Sequence, residues 1–242
     1  MLESLLDKFR GGDRQALSRL LSMASRGEVP DSLLDQLAKP TQQSLVVAIT
    51  GSGGVGKSTL IGRLIPIIRK ENQGVAVLAC DPKSPLTGGA LLGDRFRMPA
   101  LPEDDGVFIR SLAAAPGQAS LAANLPAMIQ LLKAFGFSVV VIETVGAGQG
   151  DTAVRSLADI VVLLLQPETG DDLQWEKAGL LEVADLVVIH KADLPGAEGT
   201  EARVRDILGL SAGKKAKVLR VSSKPGQGIP ELWQTIQATS SH

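Results

Sequence analysis

The stretch Leu45-Val46-Val47-Ala48-Ile49-Thr50-Gly51-Ser52-Gly53-Gly54-Val55-Gly56-Lys57-Ser58-Thr59 decides the fold. Leu45 to Thr50 is apolar and β-branched, as a buried strand requires, and Leu60 to Ile68 continues as an apolar helix. Between them Gly51 to Ser58 satisfies the spacing G-x4-G-K-[ST]. In that context the glycines free backbone amides, and the positive end of the helix faces the same space, so the loop can surround a polyphosphate. Lys57 then neutralises the β- and γ-phosphates, the Ser58 hydroxyl binds Mg²⁺, and Thr59 bonds the α-phosphate. Pro66 predicts a kink or an early end to the helix.

Outward from this core, short apolar runs recur: Val75 to Cys80, Val107 to Ser111, Val139 to Glu143, Ile160 to Gln166, Leu186 to His190 and Val218 to Ser222. Most are apolar throughout instead of alternating, so both faces of the sheet should be covered. Helix-length segments separate them. The expected fold class is therefore α/β, a mostly parallel sheet flanked by helices. Before it, Leu5, Leu6, Phe9 and Leu17, Leu20, Leu21 fall at helical spacing, interrupted by Gly11-Gly12 and Gly27. Residues 1–40 thus read as a short N-terminal helical segment, and 41–242 as the main domain.

Composition removes several function classes. The chain has 242 residues, 44% of them hydrophobic and 21% charged, which suits an ordinary globular protein. With 25 Lys+Arg against 26 Asp+Glu, no global field favours nucleic acid or an acidic membrane. Five Phe, two Trp and no Tyr leave little material for stacking bases. One cysteine, Cys80, excludes an internal disulfide framework and fits a reducing compartment, the cytoplasm by default. The longest apolar run, Ile160 to Leu165, is far short of the roughly 20 residues a spanning helix needs, and Met1 to Asp7 lacks the pattern of a signal peptide. Neither a nucleic-acid nor a membrane partner is expected.

Two further strand ends carry chemistry. In Val139-Val-Val-Ile-Glu143-Thr-Val-Gly146 an acidic residue ends an apolar run and a glycine follows three later. Glu143 can reach hydrated Mg²⁺, and the Gly146 amide can bond a γ-phosphate and let the following loop move when that phosphate leaves. After the strand Ala184 to Ile189 comes His190-Lys191-Ala192-Asp193. A fixed carboxylate such as Asp193 accepts the N1 and 2-amino hydrogens of guanine, whereas adenine has neither, so guanine is the expected base. Lys191 can lay its stem on that base. A backbone amide at Ser222 or Ser223 can bond guanine O6, or that segment is a plain turn.

Between the second and third strands runs a long polar, Gly-rich stretch, Asp81 to Arg97. Loops of this length are uncommon unless they act. Asp81 and Asp94 are candidate Mg²⁺ ligands. Arg95 and Arg97 either stabilise charge on a γ-phosphate, contact a partner, or lie on a solvated surface.

These motifs, in this order, resemble the methylmalonyl-CoA mutase-associated GTPases of MeaB and ArgK type, in the SIMIBI division of P-loop GTPases. The likeness covers the phosphate loop Gly51 to Thr59, the first switch from Asp81-Pro82 through Thr87 to Asp94, and the second switch Glu143 to Gln149. Gly170-Asp171-Asp172-Leu173-Gln174 to Lys177 is similar to that family's third switch, which relays nucleotide state to the mutase. The resemblance implies an Mg²⁺-dependent GTPase, cycling between GTP and GDP, that escorts adenosylcobalamin loading of an acyl-CoA mutase and protects it. Lys57, Ser58, Asp81 and Glu143 would carry catalysis by positioning and charge neutralisation, with slow intrinsic turnover. Gln149 is the candidate for orienting the attacking water, although spacing alone does not align it.

The chain departs from the family pattern at three places. Position 190 is His where Asn is usual, Lys83 and Pro85 stand in the first switch, and the chain ends soon after Ile229 to Ile236 without the extension through which the family dimerises. A homodimer made that way is not expected. Competing readings are a P-loop kinase linked to amino-acid transport, a nickel-insertion GTPase, for which two His and one Cys are a poor metal store, and a GTP-sensing scaffold that does not hydrolyse.

Overall fold

The computed structural model describes residues 2–37, 43–82, 104–114, 124–145, 149–167, 175–210 and 216–240. Helices α1 (Leu2–Arg10), α2 (Arg14–Ser25) and α3 (Asp31–Leu37) come first. There follow β1 (Leu45–Gly51), α4 (Lys57–Lys70), β2 (Val75–Pro82), β3 (Val107–Ala114), α5 (Leu125–Phe135) and β4 (Val139–Glu143). A 3-10 segment, Gln149–Ser156, leads to β5 (Ile160–Leu165), α6 (Trp175–Val183), β6 (Leu186–His190), α7 (Ala197–Leu210), β7 (Lys217–Val221) and α8 (Ile229–Ser240).

The seven strands form one sheet in the order β3-β2-β4-β1-β5-β6-β7, and every neighbouring pair is parallel. The α/β sheet read from the sequence is therefore what the chain forms. Its apolar strands are explained by cover on both sides. Along β1, Val46 and Ala48 face a cluster with α1, α2, α3 and α5, while Val47 and Ile49 face one with α4 and α8. A third cluster packs α6 and α7 against Leu163, Leu165, Val187 and Ile189. The N-terminal helices share the first core: Leu17, Leu20 and Leu21 are wholly buried in the cluster that holds Met128, Leu131 and Val140. Asp13 caps α2 by accepting from the Gln15 and Ala16 amides.

Of the two outcomes expected at Pro66, the early end is corrected. Helix α4 runs through Pro66 to Lys70. Proline costs the helix one bond, to the Gly62 carbonyl, whereas Leu60, Ile61, Leu64, Ile65 and Ile68 are all buried against the sheet and hold both halves in place.

Strand order places the site. Strand β1 has β4 on one side and β5 on the other, so the chain leaves its carboxyl end in one direction towards β2 and later crosses to the opposite half. In open parallel sheets a crevice opens at that switch point, beyond the carboxyl ends of the strands.

Candidate functional site

The crevice is where the fold keeps its buried polarity. Of the ten buried polar or charged residues among those described, eight belong to it: Thr50, Lys57, Ser58, Glu143, Thr144, His190, Ser222 and Ser223. A core does not gather such groups without a use for them, because each must find a partner or be desolvated at a cost.

The phosphate loop is shaped by glycines with specific duties. Gly51 has φ of 141°, and a Cβ there would lie 2.5 Å from the Leu164 carbonyl oxygen, so neither conformation nor space admits a side chain. Gly56, just before α4, has φ of 100° and abuts the His190 ring. Lys57 opens the helix, and its Nζ donates to the carbonyl oxygens of Gly51 at 2.8 Å and Ser52 at 3.2 Å. The ammonium is thus held over its own loop. Thr59, also in the first turn, is exposed.

Ser58 and Glu143 meet across the β1–β4 pairing. The Ser58 hydroxyl donates to Glu143 Oε1 at 2.7 Å, and both residues are buried. Thr144, next to Glu143, donates its hydroxyl to Thr50 Oγ1 at 3.1 Å, and its amide bonds the Ile49 carbonyl at 3.1 Å. These contacts tie the second acidic strand end to the strand that enters the phosphate loop. A hydroxyl beside a carboxylate is a hard, all-oxygen donor pair of the kind Mg²⁺ accepts. Among the described residues there is no cluster of three or more His, Cys, Asp or Glu that could hold a metal ion.

The segment from His190 to Asp193 lies against the same loop. His190 ends β6 with its ring buried; Nδ1 lies 2.7 Å from the Val55 carbonyl oxygen and Nε2 lies 2.7 Å from Ser223 Oγ. Burial and, less strongly, the Lys191 ammonium push the imidazole below its ordinary value, against the opposing pull of the Val55 carbonyl and Asp193. Lys191 adopts a left-handed φ of 56°, and its Nζ donates to the Gly54 carbonyl at 3.1 Å and Gln166 Oε1 at 2.8 Å. Asp193 is exposed and accepts a hydrogen bond from the buried Ser222 hydroxyl. That bond, with the Asp193 backbone amide and Lys224, holds its carboxyl below the usual range, so it stays an ionised acceptor. Of the two amides offered for guanine O6, that of Ser222 is committed to the Gln227 carbonyl at 3.0 Å.

The structure brings together Gly51 to Thr59, Glu143, His190, Lys191, Asp193, Ser222 and Ser223 at one edge of the sheet. Asp81 is the next-to-last residue of β2, Gln149 opens the 3-10 segment and Lys177 lies in α6. Asp94, Arg95, Arg97, Gly146, Asp171, Asp172 and Gln174 lie outside the described residues. Sequence reading did not find the hydroxyl partners Thr50–Thr144, Ser222–Asp193 and Ser223–His190. Their residues are far apart in the chain and belong to no spacing rule.

Residues 17–242 match the model of a family described as methylmalonyl-CoA mutase-associated GTPase MeaB. A Pyrococcus abyssi protein provisionally named a GTPase is 41% identical over 98% of this chain and 75% of its own length. The GTPase ArgK of Escherichia coli is 32% identical over 97% of this chain and 75% of its own. A crystal structure of a LAO/AO transport system kinase superposes with a TM-score of 0.78 at 26% identity, covering 99% of this chain and 75% of that one.

Proposed function

Because the chain belongs to the family of methylmalonyl-CoA mutase-associated GTPases, we propose that it is an Mg²⁺-dependent GTP switch gating adenosylcobalamin loading, or protection, of an acyl-CoA mutase. The observation that carries this reading is the bond from His190 to the Val55 carbonyl, with Lys191 on the Gly54 carbonyl. Through them the base-reading segment and the phosphate loop form one continuous surface, on which a single nucleotide can be met at both ends.

Each residue has a stated task. Lys57, already poised over the loop carbonyls, transfers its ammonium to the β- and γ-phosphate oxygens. Glycine-freed amides and the start of α4 receive the remaining phosphate charge. Asp193 accepts the N1 and 2-amino hydrogens of guanine, and Lys191 carries its stem along the base. Ser58 and Glu143 would hold Mg²⁺, with Asp81 and Asp94 as further candidates. When bound, that ion neutralises charge on the transferring phosphoryl group. Catalysis of this kind consists of positioning and electrostatics, so without a partner turnover is on the order of 10⁻² s⁻¹ or less. The first, second and third switches, with Arg95, Arg97, Gln149, Asp171, Asp172, Gln174 and Lys177, would report the state of the phosphate to the mutase.

The test is calorimetry and phosphate release on the purified chain, with GTP and ATP, for wild type and Lys57→Ala. The expected result is GTP binding with slow release, both lost in the variant, and recovery of an acyl-CoA mutase on a GTP-analogue matrix from the native cell. Turnover of tens per second by the protein alone, or phosphate passed from ATP to an acceptor, would refute the switch and favour a kinase.

A further inference from the structure

We infer that His190 is a brace for the phosphate loop and not a contact to the base, so that this protein reads guanine without using N7. The inference rests on the GTP reading above and adds to it which atoms of the base are recognised.

It follows from counting hydrogens. A backbone carbonyl can only accept, so the 2.7 Å contact to Val55 requires that His190 Nδ1 carry a hydrogen and donate it. In the neutral ring, which burial favours, Nε2 then has a lone pair and takes the hydrogen of the Ser223 hydroxyl at 2.7 Å. Were the ring protonated, the new hydrogen would point at the same Ser223 oxygen. In neither state is an N–H left over. The ring has no freedom to swing, because it is buried and Gly56 passes so close that an added Cβ would sit 2.6 Å from Cε1.

The position matters because His190 stands between the phosphate loop at Val55 and the segment Ser222-Ser223, whose first hydroxyl holds Asp193. A side chain there is the one placed to meet the imidazole half of a purine whose opposite edge is read by Asp193. N7 is an acceptor only and needs a donor. The imidazole at 190 has none to offer. What it supplies is a rigid link: base-reading loop, phosphate loop and the turn after β7 move as one body.

The experiment compares GDP with 7-deaza-GDP, in which a C–H replaces N7, by competition against a fluorescent GDP. For wild type the two dissociation constants are expected within about twofold of each other. In His190→Asn the amide has two hydrogens; one can serve the Val55 carbonyl and the other N7, so the variant should prefer GDP by about 2- to 10-fold, the worth of one net hydrogen bond. A position 190 that braces the loop but does not face N7 would lower both affinities together and leave their ratio alone. Wild type binding 7-deaza-GDP clearly more than twofold weaker overturns the inference, and so does a ratio that stays at one in His190→Asn. Failure of the GTP reading looks different: ATP would then compete as well as GTP, or neither would.

Discussion

Replacing Gly56 by alanine tests the link between the two loops most directly. Gly56 has φ of 100°, a region alanine enters at a cost of about 1 to 2 kcal/mol. The new Cβ would also lie 2.6 Å from His190 Cε1 and 2.7 Å from Nδ1. The ring cannot step aside freely, since it is buried and bonded at both nitrogens. Moving it leaves the Val55 carbonyl or the Ser223 hydroxyl without its partner, about 1 to 3 kcal/mol. Gly56→Ala should therefore lose about 3 kcal/mol, a large fraction of the roughly 5–15 kcal/mol typical of a domain. Equilibrium urea unfolding followed by circular dichroism measures it. The decisive quantity is the double-mutant cycle with His190→Ala. With the ring gone only the backbone cost remains, so Gly56→Ala should then cost about 1 kcal/mol, a coupling of about 2 kcal/mol. Equal losses in the two backgrounds would show that the ring does not press on the loop, and the assignment of His190 as a brace would go with it.

Other outcomes follow from the same contacts. Asp193→Asn should shift preference from guanosine to xanthosine nucleotides, because the amide can donate to the carbonyl that replaces the 2-amino group; unchanged selectivity in competition binding removes Asp193 from the base site. His190 has a lowered pKa when folded, so the unfolded chain takes up its proton first, near 6.5, and the folded chain only at lower pH. Its contribution to stability is therefore present above about pH 6.5 and is lost as pH falls from there towards the folded value. Urea midpoints from pH 8 to 5 should fall more steeply for wild type than for His190→Asn, and parallel curves would contradict this. We further propose that the helical segment 1–40 unfolds together with the domain 41–242. On that basis Leu17→Ala, at a wholly buried position, should cost about 3 kcal/mol in a single transition, whereas two transitions would mean separate units.

Much of the fold is legible along the chain because its signals are local. Apolar runs that do not alternate imply strands covered on both sides, and the pairings found are parallel throughout. Gly11-Gly12 and Gly27 separate the N-terminal helices where expected, with positive φ at Gly12 and Gly27. Pro66 is the counterexample. A local rule predicts a kink or an early end, but five buried apolar side chains of α4 outweigh one lost hydrogen bond and the helix does not end there.

Spacing within single segments also picks out Lys57, Ser58, Glu143 and Asp193, because each lies at a strand end or in a loop whose pattern is contained in fewer than ten residues. What tertiary structure alone decided is who touches whom: Ser58 with Glu143 across 85 positions, His190 with Val55 across 135, and Ser223 with His190 across 33. Sequence shows a histidine at position 190 but not that both its nitrogens are taken. Hydrogen bonds have direction and a finite number of hydrogens, and their allocation is settled only when distant strands are laid side by side.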